Sequence, residues 1–465
     1  MSEAESGARW SGRWTAAGLL VAALAIASLP SPAGAPENLM TIAGLLVVVI
    51  GIWASDCLPE HVGALVFFLV ASLLELAPPQ VVFSGFSTSA FWLVFSGLVL
   101  GVAASQTGLG QWIASALVDR IAGSYGRLIA AIVIGATVLG FLIPSAMARC
   151  FILIPIMLAL ADDIGFERGH PGRKGMIVAA ALASLVVPAS ILSANLPNVL
   201  MAGAAERLYG IELRYTEFLL LHFPVTGVLK AVALIWLVLR LFPATVEPRT
   251  GPAKNPQQLG RDGRRMLWIT SAALALWMSD FLHGISPGWI ALAAALICML
   301  PIPGLISAEN FRTRVSYPTL LFTASVIGAG ALIADSGFGT YLAERGLAAM
   351  GIGDQSAGAA FATLTGLTFL LGIVATAPGT VVILTSLAQD IAAASELDIF
   401  AVLMTVIHAC NHFLFPYQAG PVLVALKLGG VGLRDGVRVL VPLAVLALTL
   451  LAPLTFWWWR LLGYL

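Results

Sequence analysis

Runs of about twenty residues with hardly a charge recur along the whole of this chain, and a lipid bilayer is the solvent that accommodates such runs. Candidate spans fall near residues 15–30, 39–55, 60–77, 88–106, 176–205, 217–242, 266–283, 287–304, 318–335, 397–427 and 436–460. Of 465 residues, 59% are hydrophobic and 10% are charged, and the mean hydropathy is +0.95. A soluble protein has about a quarter of its residues charged, so a soluble chain of this composition would lack the polar surface to cover itself. The first run has the length of a signal peptide, but the many spans after it favour a retained first helix. Basic and acidic residues balance at 24 each, so no net charge points to a nucleic-acid partner. Cys57, Cys150, Cys298 and Cys410 lie in or beside apolar segments without CxxC spacing, so they read as core residues with no disulfide framework.

Two further apolar stretches, about 126–162 and 354–392, are too long for one helix and too short for two helices with a full loop. Each breaks near its middle, at Ile143-Pro144-Ser145-Ala146-Met147 and at Ala375-Thr376-Ala377-Pro378-Gly379. Such a pattern predicts re-entrant hairpins, since irregular backbone at membrane depth is tolerated only where it is buried or lines a cavity.

Basic residues in short loops set orientation. With a cytoplasmic N-terminus, the inside segments hold Arg9, Arg13, Arg120, Arg127, Arg168, Arg173, Lys174, Arg312, Arg314, Arg434 and Arg438. The central loop, about 244–265, adds Arg249, Lys254, Arg261, Arg264 and Arg265, while the outside keeps Arg207, Arg214, Arg345 and Arg460. This asymmetry predicts about 11 spans with the C-terminus outside.

The chain also repeats itself. Thr107-Gly108-Leu109-Gly110-Gln111-Trp112 recurs as Ser336-Gly337-Phe338-Gly339-Thr340-Tyr341, and each copy is followed by a broken hairpin at nearly the same offset. In the topology above the copies lie an odd number of crossings apart and run in opposite directions. Inverted repeats with paired interruptions are a signature of secondary transporters, and the interruptions point to the binding site. Each copy also has a broken crossing helix, at 188–198 and 408–421, where paired prolines (Pro188 and Pro197, Pro416 and Pro421) remove backbone donors and free polar groups to act as ligands.

In this layout, which spans nearly the whole chain, the sequence resembles the divalent anion:sodium symporters, the dicarboxylate, citrate and sulfate carriers. That family carries Ser-Asn-Thr at each hairpin tip, ahead of a small apolar run ending Leu-hydrophobic-Pro. Set on Pro155, the triplet falls on Ser145, Ala146 and Met147, and in the second hairpin on Ala375, Thr376 and Ala377. The Thr-Pro-Pro-Asn of the family's first broken helix is matched by Asn195-Leu196-Pro197-Asn198, and Pro416 through Pro421 matches the second loosely. The resemblance implies alternating access, a homodimer, an inner (plasma) membrane location, and a small anion of the dicarboxylate or sulfate kind as substrate. It also implies tip oxygens for sodium and for the substrate, which Ala146, Met147, Ala375 and Ala377 lack.

Arg149 lies about one helical turn beyond Ser145. An intramembrane ionisable residue is a functional-site hypothesis by default, and a guanidinium there would replace a bound cation as the fixed positive charge that receives an anion. The candidate substrate-binding residues are Ser145, Arg149, Asn195, Asn198, Thr376, Asn411 and Gln418. Each has a plainer reading, as an interfacial charge, a helix cap or a partner for unwound backbone. His408 and His412, four apart, are candidates for coupling, since histidine titrates near neutral pH. They lack the intervening Glu and third ligand of a metal site, and no cofactor is expected, sodium being left open. Lys230 is a further buried-charge candidate, and Trp457-Trp458-Trp459-Arg460 reads as an interfacial anchor. The glycines at 101–110 have no Walker spacing, so no nucleotide site is expected.

The expectation is an all-α polytopic membrane protein that moves a small anion. Residues 1–77 and 216–304 form scaffold helices, 78–215 and 305–430 the two halves of a transport core, and 431–465 a final helix. A sodium-coupled symporter with an atypical site, an anion channel and a membrane-embedded enzyme are the alternatives. Saturable flux stimulated by counter-substrate separates carrier from channel. His408 and His412 are the one seed for an enzyme's metal or base.

Overall fold

The computed structural model describes residues 3–32, 34–36, 38–55, 57–121, 124–246, 258–341, 355–374 and 377–465. Among these the regular structure is entirely helical, with no strand. Helices α1 (Glu3–Ala27), α2 (Leu39–Ser55) and α3 (Glu60–Leu73) lead into α4 (Ser89–Gln106) and α5 (Leu109–Ile121). The first hairpin is α6 (Tyr125–Leu142) and α7 (Ala146–Ile164), and the first broken helix is α8 (Pro171–Ala183) with α9 (Leu196–Tyr209). The long α10 spans Tyr215–Leu241, followed by α11 (Arg261–Met278), α12 (Pro287–Met299), α13 (Ala308–Arg314) and α14 (Tyr317–Asp335). The second hairpin is α15 (Ala357–Val374) with α16 (Ala377–Ser386) and α17 (Ala388–Ala393), and the second broken helix is α18 (Ile399–Cys410) with α19 (Gly420–Leu428). The chain closes with α20, Leu433–Leu461.

Six of these stretches are long and apolar enough to cross a membrane: Ser89–Gln106, Tyr125–Leu142, Pro171–Ser190, Tyr215–Leu241, Tyr317–Asp335 and Leu433–Leu461. The chain is a multi-pass membrane protein. The hairpin arms are longer than the sequence led one to expect. Those of the first are 18 and 19 residues, joined by only Ile143, Pro144 and Ser145. Pro144 stops α6 because the residue before a proline is pushed out of the helical region, and Ile143 is extended at φ −125°, ψ 100°. Ser145 then restarts the chain as N-cap, its Oγ accepting from the Ala148 N–H.

The order hairpin, broken helix, long helix occurs twice, at 125–241 and 357–461. Each long helix carries one π-helical turn, Phe223–Leu229 in α10 and Ala447–Leu451 in α20. The two Gly motifs do the same work in both copies. Gly108 and Gly337 each sit at φ +70°, just past the ends of α4 and α14. That left-handed turn costs a side-chain-bearing residue energy and costs glycine none.

The core is one continuous apolar cluster. At its centre α9 packs on α4, α14, α16 and α18. Glu206 of α9 closes the start of α4, its carboxylate accepting from the Ser89 N–H at 3.1 and 3.2 Å and from the Ser89 hydroxyl at 2.7 Å. An acidic group at a helix N-terminus complements the dipole there. Asp280 does the same for α10, accepting from the Tyr215 and Thr216 N–H groups. Past its π turn, α10 packs on α6 of the first hairpin, α8 of the first broken helix, and the final helix α20.

Candidate functional site

The two hairpin tips and the two helix breaks meet at one cavity of about 950 Å³. Pro144 to Ala148 line it from the first tip, and Ala377 and Pro378 from the second. Ser193, Asn195, Leu196 and Pro197 line it from the first break, and Phe413 with Gln418 to Pro421 from the second. The far wall comes from α2, α4 and α14, with Trp53, Ser105, Thr319 and Phe322 among its side chains.

Four helices begin at this cavity. These are α7 at Ala146, α9 at Leu196, α16 at Ala377 and α19 at Gly420, and the first residues of all four line the space. A helix N-terminus carries unpaired N–H groups and roughly half a positive charge. Four such ends on one cavity make it a place for an anion.

The helix C-termini at the breaks receive basic side chains instead. Arg149 is fully buried. Its guanidinium donates to the carbonyl of Ser184, the C-cap of α8, from Nε at 3.0 Å and Nη2 at 2.8 Å. It donates also to Ala194 O at 2.9 Å and to Ile143 O, the C-cap of α6, at 2.5 Å. Lys230, 2% exposed, donates from Nζ to the carbonyl of Asn411, the C-cap of α18, at 2.9 Å. Ser184 and Asn411 hold the same place in the two broken helices, so each break has its own tethered cation. A charge taken out of water costs several kcal/mol. Charge-assisted bonds of about 1.5–3 kcal/mol each offset that, and the cation also faces the negative end of a helix.

Arg149 therefore differs from expectation. It does not line the cavity, and four of its donor contacts go to backbone carbonyls. Ser145, Asn195 and Gln418 do line it. Asn195 Nδ2 donates to Asn411 Oδ1 at 2.6 Å. Asn198 and Asn411 sit behind the cavity wall. Asn198 Nδ2 donates to Ala189 O and Ile191 O, holding the unwound turn, and its Oδ1 accepts from Asn411 Nδ2 at 3.1 Å. Gln418 ties its own break to the hairpin, with Oε1 accepting from the Leu414 and Phe415 N–H groups and Nε2 donating to Gly372 O at 2.6 Å. Thr376 and its neighbour Ala375 lie outside the described residues.

His408 and His412 do not share a helix face. The helix α18 ends at Cys410, so His408 is in its last turn and His412 in the break, with rings 4.8 Å apart at 80°. His412 Nδ1 is 3.3 Å from Lys230 Nζ. His222 of α10, which sequence reasoning passed over, lies beside them with its ring 6.5 Å from that of His408. An ionisable residue inside the apolar run 217–242, about two helical turns before Lys230, was the available signal. The sequence reading also passed over Glu60, Ser316 and Thr319 as cavity residues, and took Arg314 only as a loop charge. Glu60 and Arg314 are the ionisable residues among the described ones that line the cavity, and Thr319 Oγ1 donates to Glu60 Oε1 at 2.9 Å.

The family model described as the sodium:sulfate symporter transmembrane region matches residues 11–465. The chain belongs to that family. This family member is 24% identical over 478 residues to a membrane protein of Cupriavidus necator strain H16, covering 96% of this chain and 92% of the other. It is 24% identical over 347 residues to an L-tartrate/succinate antiporter of Escherichia coli K12, covering 67% and 70%. Its fold is similar to two solved structures. One is the Alcanivorax borkumensis YdaH transporter, at TM-score 0.58 and 15% identity over 98% of this chain and 99% of that one. The other is Neisseria gonorrhoeae MtrF, at TM-score 0.52 and 10% identity over 96% and 94%.

Proposed function

We propose that this sodium:sulfate symporter family member carries a small divalent anion across the bacterial inner membrane by alternating access, without needing sodium. The observation that supports this best is the division of helix ends. Four N-termini face one cavity, while the C-termini at both breaks are already neutralised by side chains. In a site that binds free sodium, carbonyl oxygens such as Ser184 O, Ala194 O and Asn411 O would be available to the ion, which takes oxygen ligands as other hard cations do. Here Arg149 and Lys230 hold them. The anion would sit against Ser145, Asn195 and the N–H groups of the four helix starts. Thr376, next in sequence to Ala377, completes this proposed set. The relatives named as L-tartrate/succinate antiporters make a C4 dicarboxylate the first substrate to test, with sulfate second.

The repeated order of elements supports two inverted halves that rock about the cavity, with residues 78–215 and 305–430 as the moving core; family resemblance is the support for a homodimer, formed through the helices of 1–77 and 216–304. The test is uptake of labelled succinate, L-tartrate and sulfate into proteoliposomes holding the purified protein. We expect saturable uptake without sodium, stimulated by unlabelled dicarboxylate on the far side. Uptake that requires a sodium gradient rejects sodium independence. Flux that does not saturate favours a channel.

A further inference from the structure

Behind the second break, four buried ionisable side chains sit together and take no part in the proposed contact with the anion. Lys230 and His222 come from α10, His408 and His412 from the second broken helix, and all four are at most 3% exposed. Lys230 Nζ is 3.3 Å from His412 Nδ1. His408 follows at 4.8 Å between ring centres and His222 at 6.5 Å from His408. Both nitrogens of His408, and Nε2 of His412 and of His222, are buried without a hydrogen-bond partner. A buried polar atom left unpaired is costly and calls for an explanation. Chains of ionisable groups at membrane depth are the material of proton relays.

The surroundings give these groups no fixed counter-charge. Among the described residues no carboxylate pairs with Lys230, His222, His408 or His412. The packed elements offer aromatic rings: Trp459 is 5.4 Å from His222 and 6.0 Å from His408, Phe361 is 6.0 Å from His408, and Phe218 is 4.4 Å from His222. Several charged groups on these elements are engaged elsewhere. Glu206 of α9 binds Ser89, Glu217 of α10 accepts from Tyr464, Asp435 of α20 pairs with Lys174, and Arg460 stacks on Trp457. Cys410 donates to Ala377 O, and Arg149 is turned to the first break. The cluster is nonetheless linked to the anion site. Lys230 holds Asn411, which holds Asn195 at the cavity wall. His412 packs beside Ala377, Phe413 and Gln418, which also line the cavity.

We propose that Lys230, His412, His408 and His222 form a proton site that couples proton movement to the anion, an inference that rests on the transport reading above. With an anion in the cavity, Lys230 is an ammonium and donates to His412 Nδ1. When the anion leaves, the ammonium loses its counter-charge. One N–H bond of Lys230 breaks as one forms at His412 Nδ1, the Nε2 proton of His412 passes to a ring nitrogen of His408, and His408 passes one on through His222 to water on the side the anion has left. The empty carrier returns one positive charge poorer and takes up a proton with the next anion. One proton thus crosses with each anion, and no oxidant or other reactant is involved.

The experiment uses the full chain in sodium-free proteoliposomes, with the membrane potential held at zero by valinomycin and equal potassium. Labelled succinate is the probe, and a dye trapped inside reports pH. With the inside one unit more alkaline, one proton per anion gives about tenfold accumulation, since one pH unit is a factor of ten in free-energy terms. The dye should report proton entry alongside succinate. His408→Gln and, separately, His222→Gln should lose the accumulation yet keep succinate–succinate counterflow. If the wild-type protein exchanges succinate but neither accumulates it on a pH gradient nor moves protons, the proton site is wrong and the transport reading stands. The same follows if both variants retain full accumulation. If the wild-type protein shows no saturable uptake or counterflow, the transport reading fails and takes this inference with it. The wild-type dye signal decides even where a variant does not fold.

Discussion

Asn195 Nδ2 lies 2.6 Å from Asn411 Oδ1, and that bond joins the two helix breaks across 216 residues of sequence. Asn411 also donates to Asn198 Oδ1 at 3.1 Å and to Ile407 O at 2.9 Å. One side chain therefore holds both breaks in register behind the cavity. Asn411→Ala strands a donor on Asn195 and an acceptor on Asn198, each worth about 1–3 kcal/mol when left unpaired. The expected result is a lower melting temperature in detergent and loss of succinate uptake. Asn411→Asp keeps the acceptor for Asn195 and should retain more stability than the alanine variant.

Arg149 holds three carbonyls that would otherwise converge on empty space. Arg149→Ala should lower stability, because it strands the buried carbonyls of Ile143, Ser184 and Ala194, at about 1–3 kcal/mol for each one left unpaired. It should also make the protein responsive to sodium, since a small cation then has Ile143 O, Ser184 O and Ala194 O to bind. The check is melting temperature and succinate uptake of the variant, each in sodium and in choline chloride. Equal values in both salts would count against the tethered-cation reading. Arg149→Lys should rescue poorly, because a single ammonium cannot reach in three directions as a guanidinium does.

Arg314 is the cation that lines the cavity, and it faces solvent more than Arg149 does. Its attraction for an incoming dianion is therefore screened by salt. Arg314→Gln should raise KM for succinate several-fold with little change in kcat, and the difference from wild type should shrink as ionic strength rises. Uptake kinetics at low and high salt measure both.

Glu206 serves the fold rather than the substrate, since its carboxylate is bound to the start of α4. Glu206→Ala should cost about 0.5–2 kcal/mol, the usual range for losing a helix cap, seen as a lower melting temperature. The KM for succinate of the protein that remains folded should be unchanged.

Much of the architecture was legible in the sequence because its causes are local. The helix Leu39–Ser55 coincides with the apolar run 39–55, and the helices Ser89–Gln106 and Tyr317–Asp335 with their runs to within one residue. Pro144 marked the first tip, and Gly108 and Gly337 marked matching turns. The breaks were found but misplaced. The first opens at Ser184, four residues before Pro188, since a proline removes the bond to the turn before it. The second leaves His408 helical and puts His412 in the unwound stretch.

The sequence by itself determined that this chain lives in a bilayer, is helical, and interrupts its helices in two matched places. Hydropathy, proline and glycine act over a few residues, and lipid leaves backbone polar groups few alternatives. Only the tertiary structure decided which atoms meet. It turned Arg149 away from the cavity and onto the carbonyl of Ser184, 35 residues on. It brought Lys230 to the carbonyl of Asn411, 181 residues away. Those pairings follow from how helices pack in three dimensions. The direction of a long buried side chain is set by whichever unpaired carbonyl lies within its reach, and separation along the chain carries no record of that.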